Sequence, residues 1–75
     1  MSGTTTRALS PIAAHIRPGY WRITATDGRV IGNIEESAST EGGPFLARRF
    51  VAASVSYAQL GRFHDMSDAI DAFRA

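Results

Sequence analysis

Two alternating runs flank an Asp27-Gly28 pair, and this arrangement restricts what the chain can fold into more than any other feature. In Tyr20-Trp21-Arg22-Ile23-Thr24-Ala25-Thr26, the apolar Trp21, Ile23 and Ala25 alternate with Tyr20, Arg22 and Thr24. A period of two marks a half-buried strand. Arg29 to Glu35 repeats the pattern, with Val30, Gly32 and Ile34 on one face and Ile31, Asn33 and Glu35 on the other. Asp-Gly between two such runs predicts a β-hairpin with a type I′ turn, because both residues tolerate the positive φ which that turn needs.

Downstream the pattern continues less cleanly. Phe45 to Ala52 places Leu46, Arg48 and Phe50 on one face and Phe45, Ala47, Arg49 and Val51 on the other, so both faces carry an arginine and a large hydrophobe. A turn near Ser54 to Ser56 leads to a fourth run, Tyr57 to Phe63, in which Gly61 suits a bulge that turns Leu60 and Phe63 to the same side. The period then changes. Met66, Ala69, Ile70 and Phe73 fall at i, i+3, i+4 and i+7, the apolar stripe of a helix, with Asp65 placed to cap it, Asp68 in its first turn and Arg74 at its end.

The remaining segments carry weaker signals. Residues 1–18 read as a flexible N-terminal segment; within it Leu9 to Arg17 holds a Ser10-Pro11 helix start and an Ile12/Ile16 pair before Pro18-Gly19, which fits one turn of helix or an extended edge. Glu36 to Pro44 is polar and glycine-rich, the composition of a mobile, dispensable loop. The expected fold is α+β: a small antiparallel meander of three to four strands with one C-terminal helix packed on one face, forming a single β-β-β-β-α domain over residues 19–75. Its expected core is Trp21, Ile23, Val30, Ile34, Phe50, Leu60, Phe63, Met66, Ile70 and Phe73.

With 75 residues and no cysteine, packing or a partner subunit must stabilise that core, since disulfides and thiolate zinc clusters are excluded. No apolar run approaches the roughly 20 residues of a membrane span, and Met1 to Arg7 lacks the apolar stretch of a signal peptide, so the expected location is the cytoplasm with no membrane partner. His15 and His64 sit in no ligand spacing. Glu35-Glu36 and Asp68/Asp71 are accounted for by a strand end and an exposed helix face. No phosphate loop, dinucleotide fingerprint or nucleophile motif occurs. The sequence therefore leads us to expect no enzyme, no catalytic residue, no cofactor and no metal.

Charge is informative through its distribution. Eight basic residues oppose seven acidic ones for a net charge of +1, and every basic residue is arginine. A coding sequence rich in G and C accounts for that choice; guanidinium groups also suit bidentate contacts with phosphates and carboxylates. Tyr20 and Arg22 share the strand face opposite Trp21, while Arg48, Arg49 and Arg62 fall on the third and fourth runs and Arg29 follows the turn. A sheet face left open by the helix would show aromatics interleaved with arginines, a surface able to stack on bases or follow phosphates.

The run Tyr20-Trp21-Arg22-Ile23, the turn Asp27-Gly28-Arg29 and the ending Leu60-Gly61-Arg62-Phe63 before Met66-Ser67-Asp68-Ala69-Ile70 resemble the small sheet-plus-helix modules of the AP2-like and integrase arm-binding families. That resemblance implies binding of duplex DNA by a three-stranded sheet laid in the major groove. It covers roughly Tyr20 to Arg74, and the chain departs from it in having no lysine, a long loop at Glu36 to Pro44 and a fourth strand. Two functional expectations follow. One is a DNA-binding module acting through Tyr20, Arg22, Arg29, Arg48, Arg49 and Arg62. The other is a protein-interaction or inhibitor-type accessory domain, bacterial or phage, that uses an exposed strand edge or the apolar residues Tyr20, Ile31 and Phe45. A homodimer that hides the second sheet face is compatible with either.

Overall fold

The alternating runs form β2 (Tyr20–Thr24), β3 (Val30–Glu36), β4 (Phe45–Val51) and β5 (Ser56–Phe63), and a further strand, β1 (Ile12–Arg17), pairs with β2. In this computed structural model, which describes residues 11–38 and 41–74, the strands lie in chain order as one five-stranded antiparallel meander. A short helix, α1 (Met66–Asp71), follows β5 and packs on β4 and β5. The architecture is α+β with the helix on one face, as expected, but with five strands in place of three or four. The additional strand comes from the segment expected to be flexible, where the extended-edge alternative is realised. Pro18-Gly19 does not simply stop that segment. It forms the two-residue connection that turns Arg17 back to face Tyr20, with Gly19 at φ 76, the geometry of Pro then Gly at the centre of a type II turn.

The hairpin between β2 and β3 differs from the expected type I′ turn. Gly28 N–H bonds Ala25 C=O at 2.9 Å, Ala25 N–H bonds Arg29 C=O at 2.8 Å, and in this turn only Gly28 has positive φ (93°). This is a three-residue connection, one right-handed turn closed by a left-handed glycine, which adds a residue without splaying the strands. Asp27 stabilises it by accepting the Arg29 N–H at 3.0 Å. The expected bulge at Gly61 is present. Ala47 pairs with Gly61 and Arg48 with Gln59, so Leu60 is the extra residue, and Gly61 takes φ 144 to accommodate it.

The core lies on the helix side. Ile23, Ile34 and Ala47 from the three central strands are fully buried beneath Ala69 and Phe73, and Trp21, Leu60, Phe63, Met66 and Ile70 pack around them. Burying Ile23 and Ile34 contributes about 1.5–3 kcal/mol each, so these two side chains matter greatly in so small a domain. Gly32 lies directly under Phe73; a Cβ there would collide with the Phe73 ring and the Arg48 carbonyl.

Two residues of the expected core lie elsewhere. A register irregularity between Ile23 and Thr24 leaves Val30 42% exposed, and Phe50 lies on the opposite face, paired with Tyr57. Conversely, Ile31 and Phe45, expected on the uncovered face, pack against the core. The helix is shorter than its stripe. Asp65 occupies the N-cap position but its side chain makes no capping bond, and after Asp71 the chain tightens into i→i−3 bonds from Phe73 to Ile70 and from Arg74 to Asp71. The segment expected to be a mobile loop is anchored at both ends. Ser37 N–H bonds Pro44 C=O at 2.9 Å, and Gly43 is buried against the backbone of Phe63; residues 39–40 lie outside the described residues.

Candidate nucleic-acid interface on the helix-free face

Residues directly opposite one another in antiparallel strands share a face. The register therefore defines rows across the side of the sheet away from α1. The central row is Arg22, Asn33, Arg48 and Gln59, one residue from each of β2 to β5. The next row is Arg17, Tyr20, Glu35, Leu46 and Arg62, and at the opposite end of the face Phe50 pairs with Tyr57. Strand alternation thus gathers four guanidinium groups and one carboxylate on this face. The near-neutral charge of the whole chain conceals this segregation, because Asp65, Asp68 and Asp71 lie at the helix.

Each group has a distinct environment. Arg48 is tethered: its Nη1 donates to Glu35 Oε1 at 3.1 Å and, at the long distance of 3.4 Å, to Asn33 Oδ1. Asn33 is 5% exposed, so Arg48 shields a buried amide and occupies the only carboxylate of the row beside it. Arg62 Nη1 donates to the Ser37 hydroxyl at 3.1 Å, which ties β5 to the start of the loop. Arg17 places its guanidinium over the Tyr20 ring, 4.2 Å from the centroid, a cation–π contact that holds both side chains in place. The Arg22 side chain is exposed and forms no hydrogen bond or ion pair among the described residues. The rings of Phe50 and Tyr57 lie 5.4 Å apart and tilted by 56°, with Tyr57 48% exposed.

The structure therefore brings together Tyr20, Arg22, Arg48 and Arg62 of the expected set and separates the other two. Arg49 pairs with Gly32 and Ala58, which puts it on the helix side, behind the sheet from its neighbour Arg48. Arg29 lies beyond the last β2–β3 pair, at the hairpin tip. Its Nε bonds Asp27 Oδ2 at 3.0 Å in an exposed ion pair, and the Asp27 carboxyl is held below its ordinary 3.8 chiefly by the Arg29 N–H it accepts. Both separations follow from strand alternation and turn length. Sequence reading missed Arg17, Asn33, Gln59 and the Phe50/Tyr57 pair. Arg17 was legible in principle, because Arg-Pro-Gly-Tyr is a type II turn signal that sets Arg17 opposite Tyr20.

Elsewhere, on the helix side, His15 lies against Trp21 with ring centroids 5.3 Å apart, and Trp21 meets Phe45 edge-on at 6.0 Å. Among the described residues no three histidine, aspartate or glutamate side chains converge to hold a metal ion, and no helix is long and apolar enough to cross a membrane. No protein-family model matches the chain, and no curated protein or solved structure matches it, so the functional argument rests on the chemistry of this face.

Proposed function

We propose that this chain is a binding module that holds nucleic acid on its helix-free sheet face. The observation that carries the reading is the collection of Arg17, Arg22, Arg48 and Arg62 with Tyr20, Phe50 and Tyr57 on one side of a chain whose net charge is only +1. Guanidinium groups neutralise phosphates, and exposed rings give bases a surface to stack on.

Sheet width favours an unpaired strand over the duplex implied by the family resemblance. Five strands about 4.8 Å apart span roughly 19 Å between the edge-strand axes, whereas the B-DNA major groove is about 12 Å wide and admits a helix or a two-stranded ribbon. The edge strands flanking the central three would meet the phosphate ridges before the central row reached base edges. An unpaired strand carries no such restriction, and its bases are free to stack on the exposed Tyr57 ring.

Fluorescence anisotropy with a labelled single strand of about 20 nucleotides and its duplex, at about 50 and 200 mM salt, tests this. The expected result is tighter binding of the single strand, with a log-log salt slope near −2, as about three phosphate contacts would give. A preference for the duplex would restore the groove-binding mode on the same face. No complex with either at the lower salt would remove nucleic acid altogether. That last outcome favours the alternative, a protein-interaction module, for which the exposed strand β1 is the supporting feature.

A further inference from the structure

We propose that β1 is a self-pairing edge through which two copies of this chain join into a continuous ten-stranded sheet. β1 is the first strand of the sheet, so one of its sides has no strand partner among the described residues, and five of its six residues are exposed. The strand contains no proline or lysine, two residues that commonly protect an edge from pairing; Arg17 and a register irregularity at Ile16 are confined to its C-terminal end, which leaves Ile12 to His15 as the regular part of the free edge. It also carries Ile12 and Ile16 at 48% and 43% exposure.

The occupant follows from the order of residues in β1. The segment Ile12-Ala13-Ala14-His15-Ile16 is nearly palindromic about Ala14. An antiparallel pair with its twofold axis at Ala14 sets Ile12 of one copy opposite Ile16 of the other, twice over, and Ala13 opposite His15. Arg17 then faces Pro11, so no two cations are directly opposed. Moving the axis to His15 would oppose two imidazoles and separate the isoleucines. Moving it to Ala13 would place Ile12 opposite Ala14. Only the Ala14 centre pairs the exposed isoleucines, and an isologous pair of this kind closes without propagating into a fibre. The axis of an antiparallel strand pair is perpendicular to the sheet, so the helix-free faces of both copies lie on the same side. The edge pairing does not depend on nucleic-acid binding, but it would extend the arginine rows across both copies.

A six-residue edge buries less than a standard interface, which places the equilibrium in the weak class. Sedimentation equilibrium should therefore span about 10 to 500 µM, where mass action populates such pairs. The wild-type chain is expected to move from 8.1 kDa towards twice that mass. Ile12→Glu with Ile16→Glu sets carboxylates opposite one another across the axis and should weaken association at least about tenfold. Ile12→Glu with Ile16→Lys sets opposite charges there and should keep association within a few-fold of wild type. Both variants lose the same two isoleucines, so any difference between them reports the cross-copy register, and far-UV circular dichroism confirms that each remains folded. A wild-type monomer over the whole range, or equal association by the two double variants, would overturn the proposal.

Discussion

Gly32 shows most directly how one residue sets the packing of this domain. Replacing a glycine in a strand by alanine ordinarily stabilises a protein by about 0.4–1 kcal/mol, through reduced freedom of the unfolded chain. Here the added methyl would meet the Phe73 ring on one side and the Arg48 carbonyl on the other, and a backbone carbonyl in a paired strand cannot move aside. The sign therefore reverses. Gly32→Ala should destabilise by about 3 kcal/mol, close to the whole stability of a domain this size, so that urea titration finds it largely unfolded in buffer. An unchanged midpoint would mean that Phe73 does not sit over β3. The sequence placed Gly32 on the core face but gave no reason for a glycine there, since close approach of a ring is a tertiary fact. Val30 and Phe50 were misplaced for a related reason. Alternation assigns faces only until a register irregularity intervenes, and β4 offers a large hydrophobe on each face.

At the scale of elements, the signals that proved legible were local and redundant. The four downstream strands follow from period two, the β5 bulge from Gly61, and the helix from its stripe. β1 was ambiguous because Ile12 and Ile16, four apart, satisfy a helical spacing as well as one strand face. The β4–β5 connection gave no warning of its geometry. It spans residues 52–55, Ser54 and Val55 bond back to Val51 and Ala52, and Val55 takes φ 50 while 79% exposed. A β-branched side chain in the left-handed region costs about 1–2 kcal/mol, and here its exposure returns little burial. Val55→Gly should relieve that strain. Allowing for the added freedom of the unfolded chain, the net gain is about 0.5–1 kcal/mol, visible as a thermal midpoint a few degrees higher. A lower midpoint would show that Val55 makes a contact worth more than its strain.

For the whole molecule, the decisive property is that a thin sheet separates its charges by face. Arg48 and Arg49 are consecutive in the chain, yet Arg48 belongs to the helix-free face and Arg49 pairs with Gly32 beneath the helix. Composition alone treats them as equivalent, whereas the sheet-face reading does not. Arg22→Ala and Arg62→Ala should each remove one phosphate contact and make the salt slope for single-stranded nucleic acid shallower by about 0.7. Arg49→Ala and Arg29→Ala should leave the slope unchanged, Arg29 being held at the hairpin tip by Asp27. Arg48→Ala should be the most damaging to binding, because it removes a cation and also leaves the Glu35 carboxylate unpaired on the binding face. Glu35→Gln tests the same pair from its other side. Without the carboxylate, Arg48 is free to meet a phosphate, so affinity should rise and the slope steepen. Anisotropy titrations of these variants at several salt concentrations, each first shown to keep the wild-type melting curve, supply the comparison. Equal slopes for Arg22→Ala and Arg49→Ala would mean that binding responds to net charge alone, and the face would then have no special role.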